Sequence, residues 1–292
     1  MRVTQGMLAI NSLRHLSNSY DRLGDLQNQL STGKKITRPS QDPVVAMKGM
    51  YNRSNLREIE QYQRNLSEAY SWMDSSEAGL EQANSAFQRI RELIVQGKSD
   101  TYTDEDRFAI ATEIEQLKLD LKETANTKVA GRYIFNGTNV DQAPVRSVNP
   151  VDVVINSDDY MIEVSAGVKL KTNIDSEQLF NEGLFETLND LTQTLTENYD
   201  ADKLDQILGD IDSRLDTLQA QRSEMGARYN RLEMVENRLS KSEIMANQII
   251  SDNEDAEIER VITDLTTQES VHRAALSVGA KIIQPTLMDF LR

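Results

Sequence analysis

IEQYQRNLSEAYSWMDSSEAGLEQANSAFQRIRELI, residues 59–94, places an apolar residue at every seventh position: Ile59, Leu66, Met73, Leu80, Phe87 and Ile94. The companion positions Tyr62, Ala69, Ser76, Ala83 and Ile90 are small or apolar. Six unbroken heptad positions of this kind line one side of a helix and predict a coiled-coil-like contact. At 1.5 Å per residue the run is roughly 50 Å long. Asn55 with Glu58 fits a capping box at its start, and Gly97 fits a C′ residue at its end. Asp42-Pro43 offers an earlier start, as N-cap and first-turn proline.

Outward from this run the same spacing recurs. Leu13, Leu16, Tyr20, Leu23 and Leu30 follow steps of three and four, with Gln27 the polar member. Residues 99–106 are polar, and Thr103 followed by Asp104, Glu105 and Asp106 reads as a helix start. Ile110, Ile114, Leu117 and Leu121 mark the helix it opens, which Gly131 would terminate. Leu184, Leu188, Leu191 and Leu195 mark another. Leu204, Leu208, Ile211, Leu215, Leu218, Met225, Tyr229, Leu232 and Leu239 mark a very long one, its seam interrupted by Arg222 and Glu236. After an acidic run at 251–259, Ile258, Ile262, Leu265, His272, Leu276, Gly279 and Ile283 carry the stripe on.

The middle differs. Arg132-Tyr133-Ile134-Phe135-Asn136-Gly137-Thr138 is a short strand meeting an Asn-Gly turn. Residues 151–155, 160–164 and 168–170 are β-rich and separated by Asn, Asp, Ser and Gly. The fold class is therefore mainly α: an elongated bundle of long coiled-coil-like helices, its N- and C-terminal helices paired, with a small β-rich inserted domain. Its expected divisions are 1–40 (terminal helix and turn), 41–131 (helical body), 132–180 (β-rich outer domain), 181–249 (helical body) and 250–292 (terminal helix).

Composition agrees. Of 292 residues 38% are hydrophobic and only 5% aromatic, thin for one deep core and suited to shared apolar stripes. A net charge of −15 disfavours nucleic acid, whose binding needs a basic face. Residues 1–40 nevertheless hold six Lys/Arg against two Asp/Glu, and residues 241–292 five against nine. Segments of opposite sign attract weakly. No apolar run approaches the length of a membrane span or a secretory leader, and without cysteine there is no thiol chemistry.

Catalytic patterns fail. Gly97-Lys98-Ser99 lacks the first glycine of a phosphate loop. His15 and His272 are the whole imidazole supply; His272 reads as an interface residue, His15 as a solvated neighbour of Leu16. Asp252, Glu254, Asp255, Glu257 and Glu259 miss the calcium-loop pattern and read as solvated surface or a frayed break. Asp158-Asp159 reads as a hairpin turn, Trp72 as packing, and Asn136-Gly137-Thr138 as turn chemistry before a glycosylation sequon. No cofactor, no metal and no enzymatic activity are expected.

The stretch Leu30-Ser31-Thr32-Gly33-Lys34-Lys35-Ile36-Thr37-Arg38-Pro39-Ser40-Gln41-Asp42-Pro43 resembles the turn after the first helix in the flagellin superfamily. Residues 274–291, from Ala274-Ala275-Leu276 to Asp289-Phe290-Leu291, resemble the C-terminal helix of its hook–filament junction members. Gly131 to Gly137 is similar to the junction group's entry into its outer domain. Filament flagellins commonly carry Arg-Ile-Asn near the start and Asp-Asp-Ala-Ala-Gly after the turn. Here stand Val3-Thr4-Gln5-Gly6-Met7 and Gln41-Asp42-Pro43-Val44-Val45. A filament subunit and a chemoreceptor-type signalling coiled coil are the alternatives; the β insertion and missing span count against the second.

The resemblance implies a structural subunit of the bacterial flagellum, extracellular after unfolded export through the type III apparatus. It implies as partners further copies of the chain, a hook-side junction protein, flagellin, and an export chaperone at the C-terminal segment. Subunit-interface residues are expected at Leu13, Leu16, Tyr20, Leu23 and Leu30, and at Ile262, Leu265, His272, Leu276, Ile283, Leu287 and Phe290. Residues 1–40 and 250–292 are expected to order on assembly.

Overall fold

A computed structural model describes residues 5–99, 102–197 and 199–283. Seven helices are seen among them: α1 (Gln5–Thr32), α2 (Pro43–Gly97), α3 (Asp104–Ala125), α4 (Glu177–Phe180), α5 (Glu182–Thr196), α6 (Ala201–Glu254) and α7 (Ile258–Ile283). Six short strands lie between α3 and α4: β1 (Lys128–Val129), β2 (Arg132–Tyr133), β3 (Val145–Val148), β4 (Val151–Val153), β5 (Met161–Ser165) and β6 (Val168–Lys171). None of the described helices is long and apolar enough to cross a membrane. The chain divides into two compact units, Ile59–Lys241 and Met1–Glu58 with Ser242–Arg292.

The first unit is built on the heptad run. Ile59, Leu66, Met73, Leu80, Phe87 and Ile94 are all buried, as are Ala69, Ser76, Ala83 and Ile90. Facing them, Leu204, Ile211, Leu218, Met225, Leu232 and Leu239 of α6 are buried at the same interval of seven. Cross-helix pairs set the direction: Tyr70 with Glu236, Arg222 with Glu77, Arg91 with Asp212 and Lys98 with Asp205 descend α2 as they climb α6. The two helices are antiparallel. The companion seam positions are Gln221 and Val235, one residue before the expected interruptions. Arg222 and Glu236 instead flank the seam and tie it across, Arg222 Nε to Glu77 Oε1 at 2.9 Å and Tyr70 Oη to Glu236 Oε2 at 2.7 Å.

Caps fix the other elements. Asp42 Oδ1 accepts from the amides of Val44 and Val45, so α2 starts at Pro43, and Asn55 lies inside the helix and caps nothing. Thr103 and Asp106 form the reciprocal capping box of α3. That helix ends at Ala125, well before Gly131, whose φ of +83° serves the β1–β2 turn. Gly97 closes α2 without a positive φ; a Cβ there would lie 2.8 Å from Leu195 Cδ2, so close packing explains this glycine.

The strands form three separate antiparallel hairpins, β1–β2, β3–β4 and β5–β6. They lean on helices: Lys118 Nζ, buried on α3, donates to Asn189 Oδ1 on α5 at 2.7 Å, and Asn189 Nδ2 donates to Val148 O of β3 at 3.1 Å. Phe135 is buried over Gly79 of α2, where a Cβ would sit 2.7 Å from its ring. Trp72 stacks on Tyr160 at 4.7 Å, which makes it packing. Asn136 spends both amide atoms internally, on Gln142 O and the Asn156 amide, as turn chemistry demands. Asp158 and Asp159 lie in the loop that leads into β5.

Candidate assembly interface

The second unit holds both terminal helices and the turn between α1 and α2. α1 and α7 pair antiparallel along a narrow seam. Ser12, Leu16, Ser19, Leu23 and Leu26 on α1 are the more covered positions, and Val261, Leu265, Gln268, His272, Ala275 and Gly279 face them on α7. Both sets follow alternating steps of four and three, the spacing of a coiled-coil seam. At its centre Ser19, buried, accepts from Gln268 Nε2 at 2.9 Å and lies 3.2 Å from His272 Nδ1. Tyr20 and His272 rings approach to 6.1 Å.

The seam divides the expected interface residues into two sets. Leu16, Leu23, Leu265 and His272 are half-covered within the pair. Leu13, Tyr20, Leu30, Ile262 and Leu276 remain exposed, Leu13 at 58% and Tyr20 at 70%. Met7 and Ile10 join them on α1 and Ile258 on α7, while Val271 and Val278 are exposed on the other flank of α7, so each helix keeps apolar surface outside the seam after pairing. Ile283 ends α7 with its side chain outside the described residues, as are Leu287 and Phe290 entirely.

Between the helices, the turn at 33–41 is clasped to the α6–α7 break. Gly33, at φ +69°, aims its carbonyl at the Ala256 amide, 2.8 Å away, and the Lys35 amide donates to Glu254 O at 2.6 Å. Lys34 and Asp255 form an antiparallel β-bridge. Their side chains also pair, Nζ to Oδ1 at 2.6 Å, and Ser251 Oγ adds a bond to the same carboxylate. The Lys34 hydrogen bond, then that of Ser251, holds Asp255 below the usual carboxylate range. Glu254 is nearly buried against Gly49 of α2, where a side chain would collide with its carboxylate, and it pairs with Arg53 at 2.5 Å and Lys34 at 3.7 Å. Gln41 Oε1 staples the turn by accepting from the Thr37 and Arg38 amides. The acidic run is therefore no solvated break at Glu254 and Asp255: burial and two cations make it a fixed lock. Sequence reasoning missed this because the partners lie more than two hundred positions away. The opposite net charges of the two ends were the available signal.

No group of three His, Cys, Asp or Glu able to hold a metal occurs among the described residues. What the site offers is apolar helix surface and a hydrogen-bonded clasp, the equipment of a protein that binds other protein chains.

Residues 3–140 match the family model for the bacterial flagellin N-terminal helical region. The chain is similar over that stretch to flagellin-related proteins, and it is a structural component of the bacterial flagellum. It is similar to the flagellar hook-associated protein 3 of Escherichia coli (strain K12), 26% identical across 94% of this chain and 95% of that protein. It is also 26% identical to the flagellin of Bacillus subtilis (strain 168), over 97% of each. In fold it is similar to a solved flagellar hook-associated protein from Vibrio parahaemolyticus, with a TM-score of 0.69 at 22% identity over 74% of this chain and all of that one.

Proposed function

We propose that this chain is a junction subunit that joins the hook side of the flagellum to the flagellin filament, polymerising through α1 and α7. The observation that carries this reading is the apolar surface that each terminal helix keeps outside the seam. After α1 and α7 have paired, Leu13 and Tyr20 on one and Ile262 and Leu276 on the other still meet solvent. A monomer gains nothing from such faces, whereas neighbouring copies that cover them recover the transfer free energy of several large side chains. The Lys34–Asp255 clasp supports the same reading, because it joins the end of α1 to the start of α7.

Similarity to a hook-associated protein and to a filament flagellin is equal in identity. The junction role is favoured by Gln41-Asp42-Pro43-Val44-Val45, which departs from the filament pattern and here caps α2. Partners in this reading are further copies of the chain, a hook-side junction protein, flagellin, and an export chaperone that holds the C-terminal segment before secretion. Residues 1–40 and 250–292 draw their ordering free energy from polymer contacts. The role is structural and not catalytic.

Leu276→Asp tests the reading. It puts a charge on the exposed face of α7 and leaves the α1–α7 seam intact. The expected result is flagella whose filaments no longer join the hook, from a purified protein whose urea unfolding is unchanged. Normal attachment in that strain would overturn the role given to this face.

A further inference from the structure

Two faces outside the α1–α7 pair are opposite in charge, and both expose large apolar side chains. Residues 33–58, the turn and the first turns of α2, carry six Lys/Arg against two Asp/Glu, a net +4. Lys34 and Arg53 are engaged with Glu254, but Arg38 and Lys48 make no ion pair among the described residues. Beside them Val44, Met47, Met50 and Tyr51 are exposed, Tyr51 at 74%. Ile36, Pro39 and Met50 line a cavity of about 160 Å³ with Arg38 at its rim. This is a basic surface with an adaptable, methionine-rich apolar floor.

α3 presents the reverse. Residues 102–125 carry seven Asp/Glu against three Lys/Arg, a net −4. Phe108 is 65% exposed on its outer face, with Leu119 exposed three turns on. Asp104 and Glu105 flank Phe108, and Glu105 makes no ion pair among the described residues. A large exposed aromatic flanked by two acids, of which Asp104 is paired with Arg107, is the kind of anchor that packs on apolar surface beside bases.

We propose that the basic face at the start of α2 receives the Phe108 face of α3 from a second copy of the chain. Phe108 seats among Met47, Met50 and Tyr51, while Asp104 and Glu105 meet Arg38 and Lys48. The two faces belong to different parts of the chain, so the contact is heterologous and leaves one of each kind free for a further copy. Such contacts build rings or open helical arrays rather than closed dimers. The proposal rests on the polymerisation reading only in that copies must meet; it uses neither α1 nor α7.

The test exploits a chain without cysteine. Full-length Met47→Cys and Ala109→Cys proteins are prepared separately, mixed at high concentration and oxidised with diamide. The expected result is a covalent dimer several-fold above that from Met47→Cys mixed with Ser223→Cys, an exposed control on α6. Adding Phe108→Asp to the Ala109→Cys chain, or Arg38→Glu with Lys48→Glu to the Met47→Cys chain, should return the yield to that of the control. Circular dichroism confirms that each variant stays folded. A yield equal to the control in the first mixture, or one untouched by Phe108→Asp, overturns the contact. Either result leaves the Leu276 experiment standing, and failure of that experiment leaves this one standing.

Discussion

Ser19 and His272 meet across the pair of terminal helices, Oγ to Nδ1 at 3.2 Å, at the midpoint of a seam whose other members are mostly apolar. Gln268 donates to the same hydroxyl. A polar contact in an apolar seam costs stability and specifies alignment, because sliding either helix by a turn leaves the amide without its acceptor. The register of α1 on α7 is therefore fixed twice, by this contact and by the clasp at Gly33 and Ala256.

Ser19→Ala should test the first of these devices. Removing the hydroxyl leaves the part-buried Gln268 amide unpartnered and should cost the α1–α7 pair about 1 kcal/mol. The expected readout is faster tryptic cleavage at Arg22, with an unchanged urea midpoint for the unit built on α2 and α6. Equal cleavage rates would show that the clasp alone sets the register.

The clasp should be sensitive to acid. Asp255 has its folded pKa depressed by Lys34 and Ser251, so its contribution is present above the ordinary carboxylate pKa near ~4 and lost as pH falls through the lower folded value. NMR amide shifts of Gly33, Lys34 and Lys35 should hold from neutral pH to about 4 and move only below it. In Asp255→Asn the acid-dependent part due to this carboxylate should vanish. Movement of these shifts at higher pH would assign the transition to another group.

Two glycines should respond oppositely to the same substitution. Gly79→Ala drives a Cβ to 2.7 Å from the buried Phe135 ring and should destabilise by about 1–3 kcal/mol. Gly226→Ala, mid-helix with nothing within 4 Å, should stabilise by about 0.5–1 kcal/mol. Urea midpoints of both variants decide the matter, and a neutral Gly79→Ala would mean that Phe135 has room to move.

Much of the body was legible because its signal is local. Six heptad positions from Ile59 to Ile94 and four leucines from Leu184 to Leu195 are buried as their spacing demands. The α6 seam was readable only to within one residue: Leu208 and Leu215 drew attention from Ile207 and Arg214, and so displaced Gln221 and Val235. β3 escaped, since Val145–Val148 alternates over only four residues. On α1 the apolar stripe misled in part. Ser12 and Ser19 occupy seam positions that a search for large apolar residues skips, while Leu13 and Tyr20, which such a search finds, face outward. The clasp had no local signature, because Glu254 depends on Lys34, Gly49 and Arg53 from the far end of the chain.

The bridge between Lys34 and Asp255 also has a mechanical meaning. It ties the strand leaving α1 to the strand entering α7, so a pull on either terminal helix does not travel along one covalent path alone. The Gly33–Ala256 and Lys35–Glu254 bonds, with the Arg53 and Lys34 pairs behind them, share tension between the start of α2 and the end of α6. In a part of a rotating propeller, that arrangement spreads torque over two backbones where a single hinge would bend.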